Sequence, residues 1–329
     1  MSELNLPDFE PLNLVWSNLP PLSPPLIEGV LRQGHKMLIA GASKAGKSFA
    51  LIELTVAIAE GLRWFKWKCA QGKVLYVNLE VDRASCFNRF LTVYKGMNIP
   101  PKHLSDIDIW NLRGHAVTLD KLVPELVERA RGRGYKAVIV DPIYKVLTGD
   151  ENAADEMAYF CNQFDVICSE LGASVIYCHH HSKGTQTRKK AMDRASGSGV
   201  FARDPDALID LVEVERENTS DHTAWKVEGT LREFPKFEPF TIYFDLKNPC
   251  HYLKEPMPEE PVKMSPEDLF DATYDELMFQ NGEVTMRQMA ACMNMSFRSF
   301  KRVVEEKKNY RVEQIMRGKE TVLLLVRND

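Results

Sequence analysis

The sequence predicts an α/β protein with a mostly parallel sheet, followed by a small C-terminal domain of helices and a hairpin. Three observations carry this reading. Short apolar runs recur at 37–40, 74–79, 137–140 and 173–178. Stretches with helical apolar spacing separate them, and buried strands alternating with helices build a parallel sheet. The octet GASKAGKS at 41–48 lies between the first apolar run and an amphipathic stretch beginning at Phe49. It fits the GxxxxGK[ST] phosphate-binding pattern in its required strand–loop–helix setting.

The segments follow in order. Residues 1–33 are aperiodic and carry Pro20, Pro21, Pro24 and Pro25. They read as an arm lying on a surface, of its own chain or of a neighbouring subunit. Residues 34–250 form the nucleotide-binding α/β domain. Its strands are the four apolar runs, with helices expected near 82–95, 119–131 and 155–171. Segments 207–214, 224–228 and 240–244 extend the sheet, partly antiparallel. Pro256, Pro258 and Pro261 stand among Glu and Lys in 251–264, which reads as a linker.

The domain at 265–329 opens with Ser265 as helix cap and Pro266 at the first helical position. Thr285 and Gln288 form a capping-box pattern for a second helix. A turn at Asn294 and Met295 leads to a third helix after Ser296. Segments 310–315 and 320–326 then pair around Gly318. Three helices and a hairpin in this order are a winged-helix pattern.

With 44% apolar residues the 329-residue chain can bury a large core. A formal charge of −4 means that contact with nucleic acid must come from local basic patches. The seven cysteines are scattered without a CxxC pair, as in a reduced cytoplasmic protein. Cys178 precedes three histidines, but no second ligand cluster supports a zinc site. No apolar run is long enough to span a membrane.

The octet places Gly41, Ala42, Ser43, Lys44, Ala45, Gly46, Lys47 and Ser48 around the phosphates of ATP. Backbone N–H groups cradle them, Lys47 reaches the β and γ phosphates, and the Ser48 hydroxyl meets Mg2+. Asp141 ends the third apolar run, where a carboxylate orders the metal. Glu80 ends the second run and is a candidate to polarise the attacking water; a turn or helix-cap role, shared with Asp82, is the alternative. His179 and His180 follow the fourth run and can sense the γ-phosphate. Tyr144 is a candidate to stack on the base.

A basic segment follows the histidines. Lys183, Arg188, Lys189, Lys190 and Arg194 can track a phosphate backbone, or simply face solvent. Arg203 lies beyond the SGSG turn at 196–199. It is a candidate arginine finger for an adjacent subunit, or a local partner of Asp204 or Asp206.

Taken together, GASKAGKS at 41–48, VLYVNLE at 74–80, VIVDP at 138–142, VIYCHHHSKG at 175–184 and RASGSGVFARDPDALIDL at 194–211 resemble the RecA-like ATPases. More narrowly they are similar to the plasmid- and phage-type RepA hexameric replicative helicases. The resemblance implies a RecA-type core, a six-membered ring and ATP at subunit interfaces. It assigns catalysis to Glu80 and the Walker B role to Asp141. His179 and His180 become the paired histidines after the sensor strand, and Arg203 the nearest trans arginine.

A winged helix is not required by that family. The third helix carries Arg298, Lys301 and Arg302, with Lys307 and Lys308. Such a helix suits duplex DNA, a protein partner or a structural role. Phe297, Phe300 and Val304 have helical spacing and are expected in its core. The sequence thus predicts an ATP-driven motor on single-stranded DNA. The second reading is a nucleotide-dependent DNA-binding regulator or loader without unwinding activity.

Overall fold

The computed structural model describes residues 7–42, 45–115, 118–146, 154–180, 203–254, 266–293, 295–318 and 320–328. The chain divides into two compact units, Met1–Lys254 and Glu255–Asp329.

The first unit runs through α1 (Leu12–Val15), β1 (Pro25–Ile27), β2 (Leu31–Arg32), β3 (Lys36–Gly41), α2 (Lys47–Glu60), β4 (Arg63–Trp64), β5 (Trp67–Lys68) and β6 (Lys73–Asn78). It continues with α3 (Arg83–Gly96), β7 (Ile107–Asn111), α4 (Leu119–Ala130), β8 (Tyr135–Asp141), α5 (Ala154–Leu171) and β9 (Ser174–His180). The strands β10 (Ala207–Glu213), β11 (His222–Leu231), β12 (Phe240–Asp245) and β13 (His251–Tyr252) close it.

Nine of these strands form one sheet in the order β13-β12-β11-β10-β3-β9-β8-β6-β7. From β10 to β7 all neighbours are parallel, and from β10 outward to β13 they are antiparallel. The central strands are apolar through their middles because both faces are covered, with polar residues at their ends. Alternation divides them between two cores. Met37, Ile39, Tyr76 and Ile139 face the layer with α2 and α3. Leu38, Val77, Val138 and Tyr177 face the layer with α4 and α5. Phe164 of α5 anchors the second layer, stacked on Tyr177 at 4.6 Å and edge-on to Phe160 at 5.3 Å.

Three expectations change. The arm ends earlier than 33, because Leu26, Ile27, Val30 and Leu31 are buried in the core with α2. Before them Phe9, Leu12, Leu14, Trp16, Leu19 and Leu22 are exposed. The edge strand β7 was not expected, since IDIWN mixes polar and apolar residues at a half-buried edge. Residues 251–252, assigned to the linker, form β13 because His251 is drawn into a buried pairing with Glu53.

The second unit comprises α6 (Pro266–Asn281), α7 (Met286–Cys292), α8 (Phe297–Glu306), β14 (Tyr310–Arg317) and β15 (Glu320–Arg327). The strands β14 and β15 are an antiparallel hairpin, and Thr285 bridges to Leu324. Thr285 and Gln288 make the capping box of α7, and the Ser296 side chain caps α8. Phe300 stacks on Phe270 at 5.7 Å, and Val304 is buried with them. Phe297 is 40% exposed, against expectation. It shares the i, i+3, i+7 stripe of Phe300 and Val304 but is the first residue of α8, at the end of that stripe.

Phe164→Ala is expected to cost about 3–5 kcal/mol, the usual loss for an aromatic side chain emptied from a packed core. A lowered urea midpoint with unchanged slope would register it.

Candidate nucleotide site

Parallel strands present their C-terminal ends on one edge, and that edge is where α/β proteins bind ligands. Register aligns the ends here: Gly41 opposite His180, and Asn78 opposite Asp141. The edge opens into a cleft of about 670 Å³ that reaches from the phosphate loop to Glu80, Asp141 and His180.

The loop joins β3 to α2. Gly46 holds φ at +72°, a left-handed conformation that lets α2 begin at the next residue. The start of α2 carries no acid, so its free N–H groups favour an anion. Ser43 and Lys44 lie outside the described residues.

Lys47 is buried, and its Nζ donates to the carbonyls of Gly41 at 2.8 Å and Ala42 at 2.7 Å. The same nitrogen lies 3.1 Å from Nδ1 of His180. Burial lowers the ammonium pKa, and the nearby Cys178, Asp141 and Glu80 act in the opposite direction.

Asp141 ends β8 and is oriented by three donors. Its Oδ1 accepts from Ser48 Oγ at 3.1 Å and Cys178 Sγ at 3.2 Å. Its Oδ2 accepts from Tyr76 OH at 2.5 Å. Burial, with the adjacent carboxylate, holds the Tyr76 phenol far above its ordinary pKa, so it remains a donor. The Asp141–Pro142 peptide is cis.

Glu80 and Asp82 separate by role. Asp82 caps α3 by accepting the Ser85 N–H at 3.1 Å, which holds its carboxyl below the usual range. Glu80 is exposed on the cleft wall and accepts from Tyr144 OH at 2.8 Å. Burial and that carboxylate push the Tyr144 phenol up to about 12. Tyr144 therefore stands on the Glu80 and His180 side, with its ring 5.7 Å from the His180 ring. Its ring lines the same cleft as the phosphate loop.

Further aromatic surface lies elsewhere in the cleft. Phe49 follows Ser48 and packs against Phe244 of β12 at 5.3 Å, with Arg89 over Phe49 at 5.4 Å. Phe244, Arg89 and Arg113 line the cleft and were missed from sequence. Nothing local marks them, because β12 and α3 reach the site only through the sheet order. Tyr76 was also missed, hidden as one more apolar strand residue; a tyrosine inside a fully buried run was the available signal.

His179 and His180 end β9, and both line the cleft. Lys183, Arg188, Lys189, Lys190 and Arg194 lie outside the described residues. Arg203 is placed away from this cleft. It precedes β10, whose Ala207 pairs with Met37 at the start of β3. The strand from Met37 to Gly41 puts roughly 13 Å between the two edges of the sheet. Its local partners are engaged otherwise: Asp204 with Lys36 at 2.8 Å and Asp206 with Arg232 at 2.8 Å. In the second unit Arg298, Lys301 and Arg302 are exposed on α8, beside exposed Glu305 and Glu306.

The arrangement suits a nucleoside triphosphate: a phosphate cradle, a buried lysine, a hydroxyl–carboxylate pair and a cleft-facing acid. Ser48 Oγ and Asp141 Oδ1, both hard oxygen donors, are a fitting set for Mg2+.

Residues 2–186 match the family model described as an AAA domain. Among solved structures, the ATPase domain of another protein is 13% identical with a TM-score of 0.50, over 68% of this chain and 86% of that one. A KaiC-like protein from the hyperthermophilic archaeon Pyrococcus horikoshii OT3 is 15% identical with a TM-score of 0.49, over 70% and 94%. At such identities the first of these is a likeness of fold, and the fold is RecA-like.

Tyr144→Phe removes the hydroxyl on Glu80 and leaves the loop intact. Steady-state kinetics are expected to show kcat for ATP lowered about 3- to 10-fold with KM little changed.

Proposed function

We propose, from the premise that this chain belongs to the AAA domain family and is an ATPase with a RecA-like core, that it is a motor acting on single-stranded DNA. The reading is a replicative helicase of the plasmid and phage RepA type, working as a six-membered ring. One observation carries it: the 3.1 Å contact between Lys47 Nζ and His180 Nδ1. It links the lysine that meets the γ-phosphate to the end of β9. The chain leads from there into the basic stretch with Lys183, Arg188, Lys189, Lys190 and Arg194.

In this mechanism the loop amides and the start of α2 hold the phosphates. Lys47 exchanges its carbonyl partners for phosphate oxygens. Ser48 and Asp141 would hold Mg2+, which would supply neutralisation of phosphate charge. Glu80, steadied by Tyr144, orients the attacking water. Phe49 and Phe244 offer the flat apolar surface for the base. Release of the γ-phosphate returns Lys47 to His180, and the change is passed to the basic segment.

Arg203, at the opposite edge of the sheet, serves the nucleotide of a neighbouring subunit rather than its own. Each ring site then takes its cradle from one copy and its arginine from the next. This is the geometry in which an arginine finger works.

The exposed Arg298, Lys301 and Arg302, opposite the buried Phe300, favour a second reading. Here α8 contacts duplex DNA or a protein, and the ATPase acts as an assembly switch for a regulator or loader.

ATP hydrolysis with and without single-stranded DNA, with light scattering on the same samples, separates these. The motor reading expects stimulation of about tenfold or more by DNA, a hexamer-sized mass, and loss of hydrolysis in Lys47→Ala. Neutralising Arg188, Lys189 and Lys190 should remove the stimulation and spare the basal rate. Hydrolysis indifferent to DNA, or a monomer throughout, would overturn the motor. Displacement of a strand from a forked substrate would overturn the switch.

A further inference from the structure

Behind the phosphate loop lies a buried pair that the mechanism above does not use. Glu53 sits on α2, two turns beyond Lys47, and His251 is delivered by the short strand β13. The His251 side chain has no solvent exposure and that of Glu53 has 5%. Glu53 Oε1 accepts from the His251 backbone N–H at 2.8 Å and from ring Nδ1 at 2.9 Å. A carboxylate only accepts, so Nδ1 carries the proton.

The other edge of the ring faces the loop. A Cβ placed on Gly46 would lie 3.0 Å from both Cε1 and Nε2 of His251. Nε2 is buried and has no hydrogen-bond partner among the described residues. The ring is therefore the wall against which the left-handed turn of Gly46 rests. Phe244, which lines the cleft, packs on the same ring at 4.8 Å.

Packing alone does not fix the ring there. A cavity of about 250 Å³ opens beside it, lined by Glu53, Trp64, Phe65 and Met97 among others. An untethered imidazole has room to swing away from Gly46. The double hydrogen bond to Glu53 closes that option.

We propose that His251, tethered by Glu53, is a positioning residue for the phosphate loop: its ring edge sets the Gly46 turn and so the geometry that accepts the phosphates. It contacts no substrate. Its effect falls on ground state and transition state alike, because both use the same cradle. The signature is thus a change in KM rather than in kcat. The proposal rests on nucleotide binding in this cleft and not on DNA, so it stands or falls separately from the motor reading.

The test is steady-state ATP hydrolysis by the full chain without DNA, beside thermal unfolding without nucleotide. His251→Asn keeps a donor for Glu53 but withdraws the ring edge from Gly46. It should raise KM for ATP about tenfold and keep kcat within about threefold, whatever the loss of buried packing does to the unfolding midpoint. Glu53→Ala, which keeps the ring and removes its tether, should raise KM in the same direction. Adding it to His251→Asn should then change KM by less than about twofold, since both act through one element. A KM unchanged in both single variants, or a lowered midpoint with unchanged KM, would reduce the pair to core packing and overturn the proposal. So would a loss of kcat at constant KM.

Discussion

The buried ammonium of Lys47 is the constraint around which the site is arranged. A cation out of water needs partners on every side. Two loop carbonyls take part of that load, His180 closes another side, and Asp141 and Glu80 supply negative potential. None of these groups is near Lys47 in sequence except the loop itself. The order β3-β9-β8-β6 brings them together, because it lays three carboxyl ends beside the loop. Sheet register thus acts as the electrostatic device. A slip of one residue in β8 or β9 would turn Asp141 or His180 to the other face and leave the lysine without it.

Asp141 is held on the same plan. Its carboxylate is buried and accepts from a serine, a tyrosine and a thiol drawn from α2, β6 and β9. These donors fix both oxygens, so little reorganisation is left for the moment of reaction. The two apolar layers make this rigid. They hold β6, β8 and β9 from both faces, and a site built on strand ends inherits their precision.

Much of this was legible in the sequence because the signals were local. The four apolar runs, the loop and the acids at strand ends all follow from period, length and one motif. The boundary near 254 was only approached, since β13 exists through the Glu53–His251 pair across 198 positions. The part of 1–33 that joins the core escaped detection for a related reason: Leu26 to Leu31 show no helical or strand period, and burial comes from α2 lying over them. Phe244, Arg89 and Tyr76 required the topology itself. The hydrogen bond from Tyr144 OH to Glu80 likewise joins residues 64 positions apart and follows only from the folded cleft.

The two edges of the sheet differ in kind, and that difference bears on assembly. The C-terminal edge gathers the cradle, the acids and the histidines. The N-terminal edge gathers paired charges, Lys36 with Asp165 and Asp204, and Arg232 with Asp206. Arg203 stands beside that network and is bonded to it through its backbone, by Arg232 Nη2 to its carbonyl at 3.0 Å. A network that fixes a backbone and leaves the guanidinium exposed presents the charge outward rather than burying it. Within one copy, roughly 13 Å of strand keep that charge from the phosphates. The proposed ring would resolve the separation, if one copy's N-terminal edge packed against the next copy's cleft and turned the distance into contact. In such a ring the long sheet would be a spacer that makes hydrolysis depend on a neighbour, the dependence that successive firing around a ring requires.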